Sequence, residues 1–472
     1  MKRKCVLSMA LLMVAMTLCA APYSDILSGA KANSITLKNA EISYRNSLIT
    51  VEKNGLKDEV QVSVTGSAKV SPSLAFTPSV KVVLPNDGST TIEASVPVTL
   101  DYEDPSFYSA SPSVAVKHLF DLTGYDKDVI TDLSNSKSLL SSEYTYQNSV
   151  ISFETTVLNS IKSLLSAEKN LASQKFTLSE NEKSLSDKVA LGQITEGSVT
   201  WKQLNNQIEI SKNTISSLER QIENAASQYK TLTGMEWDGV TDLPEPDLTF
   251  TVLPTGNTSV ILKQIDAEIA RANLEAKNVQ LAPQSVSVSG TASSTNSKSI
   301  AKTQFGNAEV QTNTIDLNAG ATYSQSNWSV GSSVGFSYNA RDNKFDTPSL
   351  TISGSWQNKT TTKKDELELQ SLSNLVVSAE NSAQDELTSY IQSARSLELD
   401  IMQYEYTRIQ AQANSDYLKA SLENVKALYD VGLATDAELR KAEFNVEMDE
   451  YDTMSVVIDG LILQNRIRAL NL

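Results

Sequence analysis

Two hydrophobic periods alternate along the 472-residue chain. The first is seven residues long. Val150, Val157, Leu164, Leu171, Leu178 and Leu185 recur at every seventh position. Leu204, Ile208, Ser211, Ile215, Leu218, Ile222, Ala225, Tyr229 and Leu232 then alternate in steps of four and three. Near the C-terminus Leu399, Met402, Tyr406, Ile409 and Ala413 step by three and four, and Leu418, Leu422, Val425 and Tyr429 by four and three. A 3.5-residue repeat keeps one seam facing a partner and supercoils helices to the left. Ser and Ala interrupt the seams, so the pattern predicts long helices in a shallow array. Ordinary coiled-coil hairpins with a structural role satisfy it equally.

The second period is two. Ile92, Ala94, Val96, Val98, Leu100 and Tyr102 alternate with polar positions, and Val60, Val62 and Val64 open a partner strand. Later runs are Val286, Val288 and Ala292; Ile315, Leu317, Ala319, Ala321 and Tyr323; Trp328, Val330, Val334, Phe336 and Tyr338; and Leu350, Ile352 and Trp356. Such dyads predict amphipathic strands. They fit a membrane barrel with a polar lumen, and Tyr102, Tyr323, Trp328, Tyr338 and Trp356 near strand ends suit an interfacial girdle. A soluble sandwich alternates in the same way.

The elements come in the same order twice, which predicts two structural repeats, 21–240 and 241–472. In the first, a helix over 33–54 precedes strands over about 59–103 and a helical hairpin over about 126–234. In the second, a helix over 257–281 precedes strands over about 285–357 and a hairpin over about 363–470. The hairpin turns match: Leu191-Gly192-Gln193-Ile194-Thr195 against Val431-Gly432-Leu433-Ala434-Thr435, with the glycines 240 positions apart. Glycine suits a left-handed helix cap, and Thr195 and Thr435 are placed to cap the next helix. A helix of about 65 residues would be roughly 100 Å long.

Lys2-Arg3-Lys4, the uncharged run Val6–Cys19 and Ala20-Ala21 read as a signal peptide over 1–20, too short to span a bilayer. Lipidation at Cys19 is the rival reading, with Leu18 a poor residue before it. No later apolar run reaches 18 residues, so a membrane form has to be a barrel. The formal charge is −16; without residues 1–20, 37 basic residues face 56 acids, or −19. That balance disfavours nucleic acid. One His (His118, expected to be solvated or packed before the long helix) and two Cys, Cys5 and Cys19, exclude haem, disulfide and zinc frameworks, so no metal or cofactor is expected. Acids such as Asp104 or Glu103 have no supporting constellation for hydrolysis, and the chain is read as no enzyme. Hydrophobic residues make up 40% and aromatics 6%, which suits thin elements wetted on one side.

These features together resemble the TolC-like outer-membrane efflux protein family. The matching residues are Ala420-Ser421-Leu422-Glu423, Tyr429-Asp430-Val431-Gly432, Thr435 and Ile467-Arg468-Ala469-Leu470, with a weaker copy in Ala190-Leu191-Gly192 and Leu232-Thr233-Gly234. The resemblance implies an α+β fold: a trimeric outer-membrane β-barrel continued by a periplasmic α-helical barrel, each chain giving duplicated strands and long coiled-coil hairpins. It implies a passive exit duct of a tripartite efflux or type I secretion system, working with a periplasmic adaptor and an inner-membrane pump. Tyr429 and Glu438 match entrance positions, Glu438 as an acid ringing a constriction; Gly192, Thr195, Gly432 and Thr435 match adaptor-docking turns. Ala434 stands where the family has a basic latch residue and Lys441 where it has a second acid. Two strands are expected from the first copy and four from the second, eighteen for a trimer, or twelve if the polar stretch Ser294–Asn313 is an external loop, the reading preferred here. The alternative is a secreted structural or adhesive coiled-coil protein with a soluble β domain.

Overall fold

The computed structural model describes residues 21–56, 60–70, 73–84, 90–101, 104, 106–126, 128–303, 306–357 and 362–472. The segment 1–20, with its expected signal peptide, and also Tyr102 and Glu103, lie outside the described residues. The helices are α1 (Tyr23–Asn33), α2 (Ile35–Gly55), α3 (Val129–Ala190), α4 (Val199–Thr233), α5 (Thr258–Leu281), α6 (Lys363–Asp430) and α7 (Asp436–Leu470). The strands are β1 (Ala21–Pro22), β2 (Gln61–Lys69), β3 (Leu74–Val83), β4 (Thr90–Ser95), β5 (Val98–Leu100), β6 (Tyr108–Ala110), β7 (Ser113–Asp121), β8 (Val240–Thr241), β9 (Gln284–Thr303), β10 (Gly306–Gln325), β11 (Trp328–Asn339), β12 (Lys344–Phe345) and β13 (Ser349–Trp356). The fold is α+β with long helices. Among the described residues two compact units divide it, a helical one (21–48, 138–264 and 382–472) and a sheet-bearing one (within 49–137 and 265–381).

In the helical unit the seven-residue seam of α3 is filled from within the chain. Val157, Ile161 and Leu164 are fully buried with Ile26 and Ala30 of α1, Tyr229 of α4 and Ile458 of α7. Each such aliphatic side chain is worth about 1.5–3 kcal/mol on burial, so this cluster anchors the unit. Next to it α3 and α7 run antiparallel in a ladder spaced by seven residues on α3 and by seven or eight on α7: Lys162 to Asp459 at 2.5 Å, Lys169 to Asp452 at 2.5 Å, Phe176 stacked on Phe444 at 4.0 Å, and Lys183 to Asp436 at 2.8 Å. Exposed ion pairs contribute only about 0.2–1 kcal/mol each, so the ladder fixes register more than stability. On α6, one apolar stripe (Leu397, Tyr404) packs on Leu463 and Ile467 of α7. Its other stripe, Leu399, Met402, Tyr406 and Ile409, is 58–65% exposed. That seam has no partner within the described residues of the chain.

In the sheet-bearing unit the strands form one antiparallel meander. Pro97 interrupts one strand into β4 and β5, which share a register against β3. Pro112 interrupts the next into β6 and β7, which share a register against β9. Proline lacks the N–H that a ladder needs, hence the breaks. Joined across them, the order is β2, β3, β4/β5, β6/β7, β9, β10, β11, β13, with the short β12 also beside β11. One row of cross-strand partners runs the full width: Val62, Val82, Ile92, Val116, Gly290, Ala319, Val334, Leu350.

Two expectations change. The first half contributes four strands rather than two and continues past residue 103 to Asp121, which places His118 in β7. The stretch Ser294–Asn313 is not a loop: β9 and β10 stay paired from Gln284 with Gln325 to Thr303 with Gly306. Among the described residues each half therefore gives four strands, and the sheet is eight wide.

Candidate functional site

The two hairpin turns have the same backbone. Gly192 and Gly432 adopt φ of +67° and +78°, a region costly for any residue with a Cβ. The Gly192 N–H donates to the Val189 carbonyl at 3.0 Å and that of Gly432 to the Tyr429 carbonyl at 3.0 Å. The next two amides close on Lys188 in the first copy (2.9 and 3.3 Å) and on Leu428 in the second (2.8 and 3.2 Å). Every partner is shifted by the same 240 positions.

The turns diverge after that. Thr435 caps α7 in a capping box: its hydroxyl accepts from the Glu438 N–H at 3.3 Å, while Glu438 Oε2 accepts from the Thr435 N–H at 2.7 Å and hydroxyl at 2.8 Å. Those two bonds, the backbone one foremost, hold the Glu438 carboxyl below the usual range. In the first copy the cap is not Thr195, as the sequence suggested, but Ser198, whose hydroxyl accepts from the Trp201 N–H at 3.3 Å. Thr195 instead accepts the Ser198 N–H through its carbonyl, and the turn is three residues longer, with Gly197 at φ +82°.

Glu438 thus has a structural task in this fold. Thr435→Ala should cost about 1 kcal/mol and loosen the first turn of α7, with Thr195→Ala close to neutral, read as amide exchange in 435–440 and 195–201. The low Glu438 pKa makes its contribution present above the carboxylate range of the unfolded chain and lost as pH falls through the folded value.

Tyr429 is exposed rather than packed in a seam, and so are Leu191, Val431 and Leu433 beside the glycines. These three stand inside the matched turn motifs, where apolar side chains flanking a turn glycine are a readable signal that the glycines alone overshadow. Arg440 reaches Glu180 at 2.9 Å and Lys183 reaches Asp436, tying the end of α3 to the start of α7. Ala434 and Lys441 lie at the same end; Lys441 is exposed.

The sheet has two unlike faces. On one lie Val286, Val288 and Ala292 of β9, Ile315, Leu317, Ala319, Ala321 and Tyr323 of β10, and Val330, Val334 and Phe336 of β11. The large ones among them, such as Leu317 and Phe336, are exposed to solvent. The reverse face is small and polar: Ser285, Ser287 and Ser289, then Asn318 and Thr322, then Ser329 and Ser333, then Thr351 and Ser353. From Ile315 to Tyr323 the apolar band spans about 27 Å along the strand at 3.3–3.4 Å per residue.

Aromatics stand at both ends of the band. Tyr323 lies 5.4 Å from Trp328, which pairs with Trp356, and at the other end Tyr338 lies 4.9 Å from Phe345. Beyond that end the same face turns polar, with Asn296, Lys298 and Gln311 and an ion pair between Lys298 and Glu309. His118 sits on the apolar face with its Nδ1 2.6 Å from the Thr90 hydroxyl and its ring edge-on to Phe120. Asp104 accepts the Ser106 N–H at 3.0 Å, a local turn rather than a reactive pair. No described helix is long and apolar enough to cross a membrane.

The TP096X N-terminal domain family model matches residues 26–255. Among curated proteins none matches the chain. Among solved structures, a membrane protein from Pseudomonas aeruginosa is similar at 13% identity, covering 94% of this chain and 89% of that one with a TM-score of 0.51. The Campylobacter jejuni CmeC outer membrane channel is similar at 13% identity over 94% of this chain and 85% of its own, TM-score 0.50. The outer-membrane channel OprN gives 12% identity over 95% and 89%, TM-score 0.50. The chain shares the fold of the TolC-like outer-membrane channels.

Proposed function

We propose that the chain is an outer-membrane exit duct of a tripartite efflux or type I secretion system, a passive conduit that carries out no covalent chemistry. The observation that carries this reading is the sheet: an exposed apolar band, a small polar reverse face and aromatics at both ends match a lipid-embedded barrel wall with a wet lumen. A soluble β domain would have to cover that band to avoid the cost of wetting it. The open α6 seam at Leu399, Met402, Tyr406 and Ile409 supports assembly with further copies, taken here as a homotrimer.

In this reading residues 1–20 direct export, the sheet lies in the outer membrane and the helical hairpins lie in the periplasm. The Gly192 and Gly432 turns, with Thr195, Thr435 and the exposed Leu191, Val431 and Leu433, form the face offered to a periplasmic adaptor and, through it, an inner-membrane pump. Tyr429 and Glu438 lie at the entrance. With Glu438 held in its cap, its charge adds a negative potential there through a fixed position rather than a swinging side chain.

The protein should fractionate with outer membranes, run as a heat-labile trimer and open steps of conductance in a planar bilayer. Recovery as a soluble monomer without conductance would sink the duct and favour a secreted coiled-coil protein.

A further inference from the structure

We infer that β13 of one chain pairs edge to edge with β2 of the next, so that each chain supplies eight strands and a trimer closes a barrel of twenty-four. The inference rests on the duct reading above and departs from the twelve strands that the resemblance implied.

The two outer strands of the meander are open. Within the described residues β2 pairs only with β3 and β13 only with β11, and every residue of both is exposed. Unpaired edges are normally guarded by charge, proline or a bulge. Neither strand contains proline; Lys69 at the end of β2 is the sole charge in the two. In a bilayer such edges are not tolerated, because their unpaired N–H and C=O groups find no water to bond.

The edges suit each other. The meander has an even number of strands, so β13 of one copy and β2 of the next meet antiparallel, as every other pair in the sheet does. They are eight and nine residues long. Relative to the row through Val62 and Leu350, β2 extends to one side and β13 to the other, so full overlap of the two strands shifts the register by about six residues per chain. At 3.3 Å per residue and about 4.8 Å between strands, that slant is roughly 30°, close to the tilt at which barrels close. The same overlap sets Ile352 opposite Gly66 and Gly354 opposite Val64, large against small, with all four on the apolar face. A one-residue slip would turn one strand inside out.

Closure of one chain on itself is the competing geometry. An eight-stranded barrel is only wide enough for side chains to fill its interior. The reverse face here is dominated by Ser, Thr and Gly, among them Ser289, Gly320, Ser333 and Ser353, which would leave that interior void. A wide, water-filled lumen needs no filling.

The test is disulfide trapping in the full chain. Cysteines are placed as Gly66→Cys and Ile352→Cys, with Val62→Cys and Val82→Cys, which pair within the chain, as the positive control. Outer membranes are oxidised and run boiled without reductant, and the two single-cysteine chains are also coexpressed. The expected result is a covalent ladder ending at a trimer for the double variant and a dimer for the coexpressed singles. A disulfide confined to one chain overturns the inference, as does a ring of any other size, or no cross-link while the control pair forms. If the protein is absent from outer membranes, the duct reading fails by itself; the cross-link pattern in the remaining fractions still decides the pairing.

Discussion

Gly460→Ala should lower the thermal midpoint of the protein by on the order of 5 °C. Gly460 is buried in α7 where that helix crosses α6. A Cβ built there falls 2.5 Å from Pro246 Cγ and 2.5 Å from Tyr404 Cζ, and meets the Tyr404 hydroxyl as well. A proline ring cannot rotate away, and Tyr404 is held in the cluster with Leu397, Leu463 and Ile467. Overpacking of this kind costs about 1–3 kcal/mol, and in a large unit each kcal/mol moves the midpoint by roughly 2 °C. Gly256→Ala, where the nearest atom is 3.7 Å away, is the control and should change little. Adding Tyr404→Phe should recover only part of the loss, since Pro246 and the ring carbon remain. Melting followed by circular dichroism reads all three; an unchanged midpoint for Gly460→Ala would mean that α6 and α7 sit further apart than described.

The second large effect should separate two adjacent residues. Leu317 is 51% exposed on the apolar face of β10, and Asn318 points to the polar face. Arginine on the lipid side of a barrel costs about 2–4 kcal/mol at mid-bilayer, whereas a lumen position leaves it in water. If the proposed trimeric duct is right, Leu317→Arg should reduce outer-membrane trimer several-fold, while Asn318→Arg should assemble normally and alter only conductance or ion preference. Heat-modifiable trimer on gels and single-channel recording check the pair. Equal damage from both would show that the band does not face lipid.

How much of this was written in the sequence depends on where hydrophobicity and backbone pairing coincide. Inside the band they do: the alternation over 315–324 and 328–339 marks β10 and β11. Outside it they part. Beyond Ile315 the continuation of the apolar face carries Asn296, Lys298, Gln311 and Asn313, which breaks the alternation, so a paired ribbon reads as a loop. In the first half Pro97 and Pro112 cut the alternation into pieces shorter than a recognisable strand, while the register runs on across both breaks. The helical seams were legible as seams, yet a heptad does not name its partner. Nothing in Lys162, Lys169 and Lys183 alone says that they meet α7 rather than α4.

At the turns, Gly192 and Gly432 announced themselves through a shared motif. The cap did not, because both Thr195 and Ser198 have the chemistry and only the three-residue longer path selects Ser198. Glu438 shows the opposite case. Its position suggested an entrance acid, and its hydrogen bonds give it a helix to hold.

The two turns share their hydrogen bonds and differ by three residues in length. Three such chains arranged in a ring would present six tips of two alternating kinds. The ring would look sixfold at the level of the glycines and threefold at the level of the caps. A partner copied identically around it would have to choose one kind of tip or bind in two unequal ways.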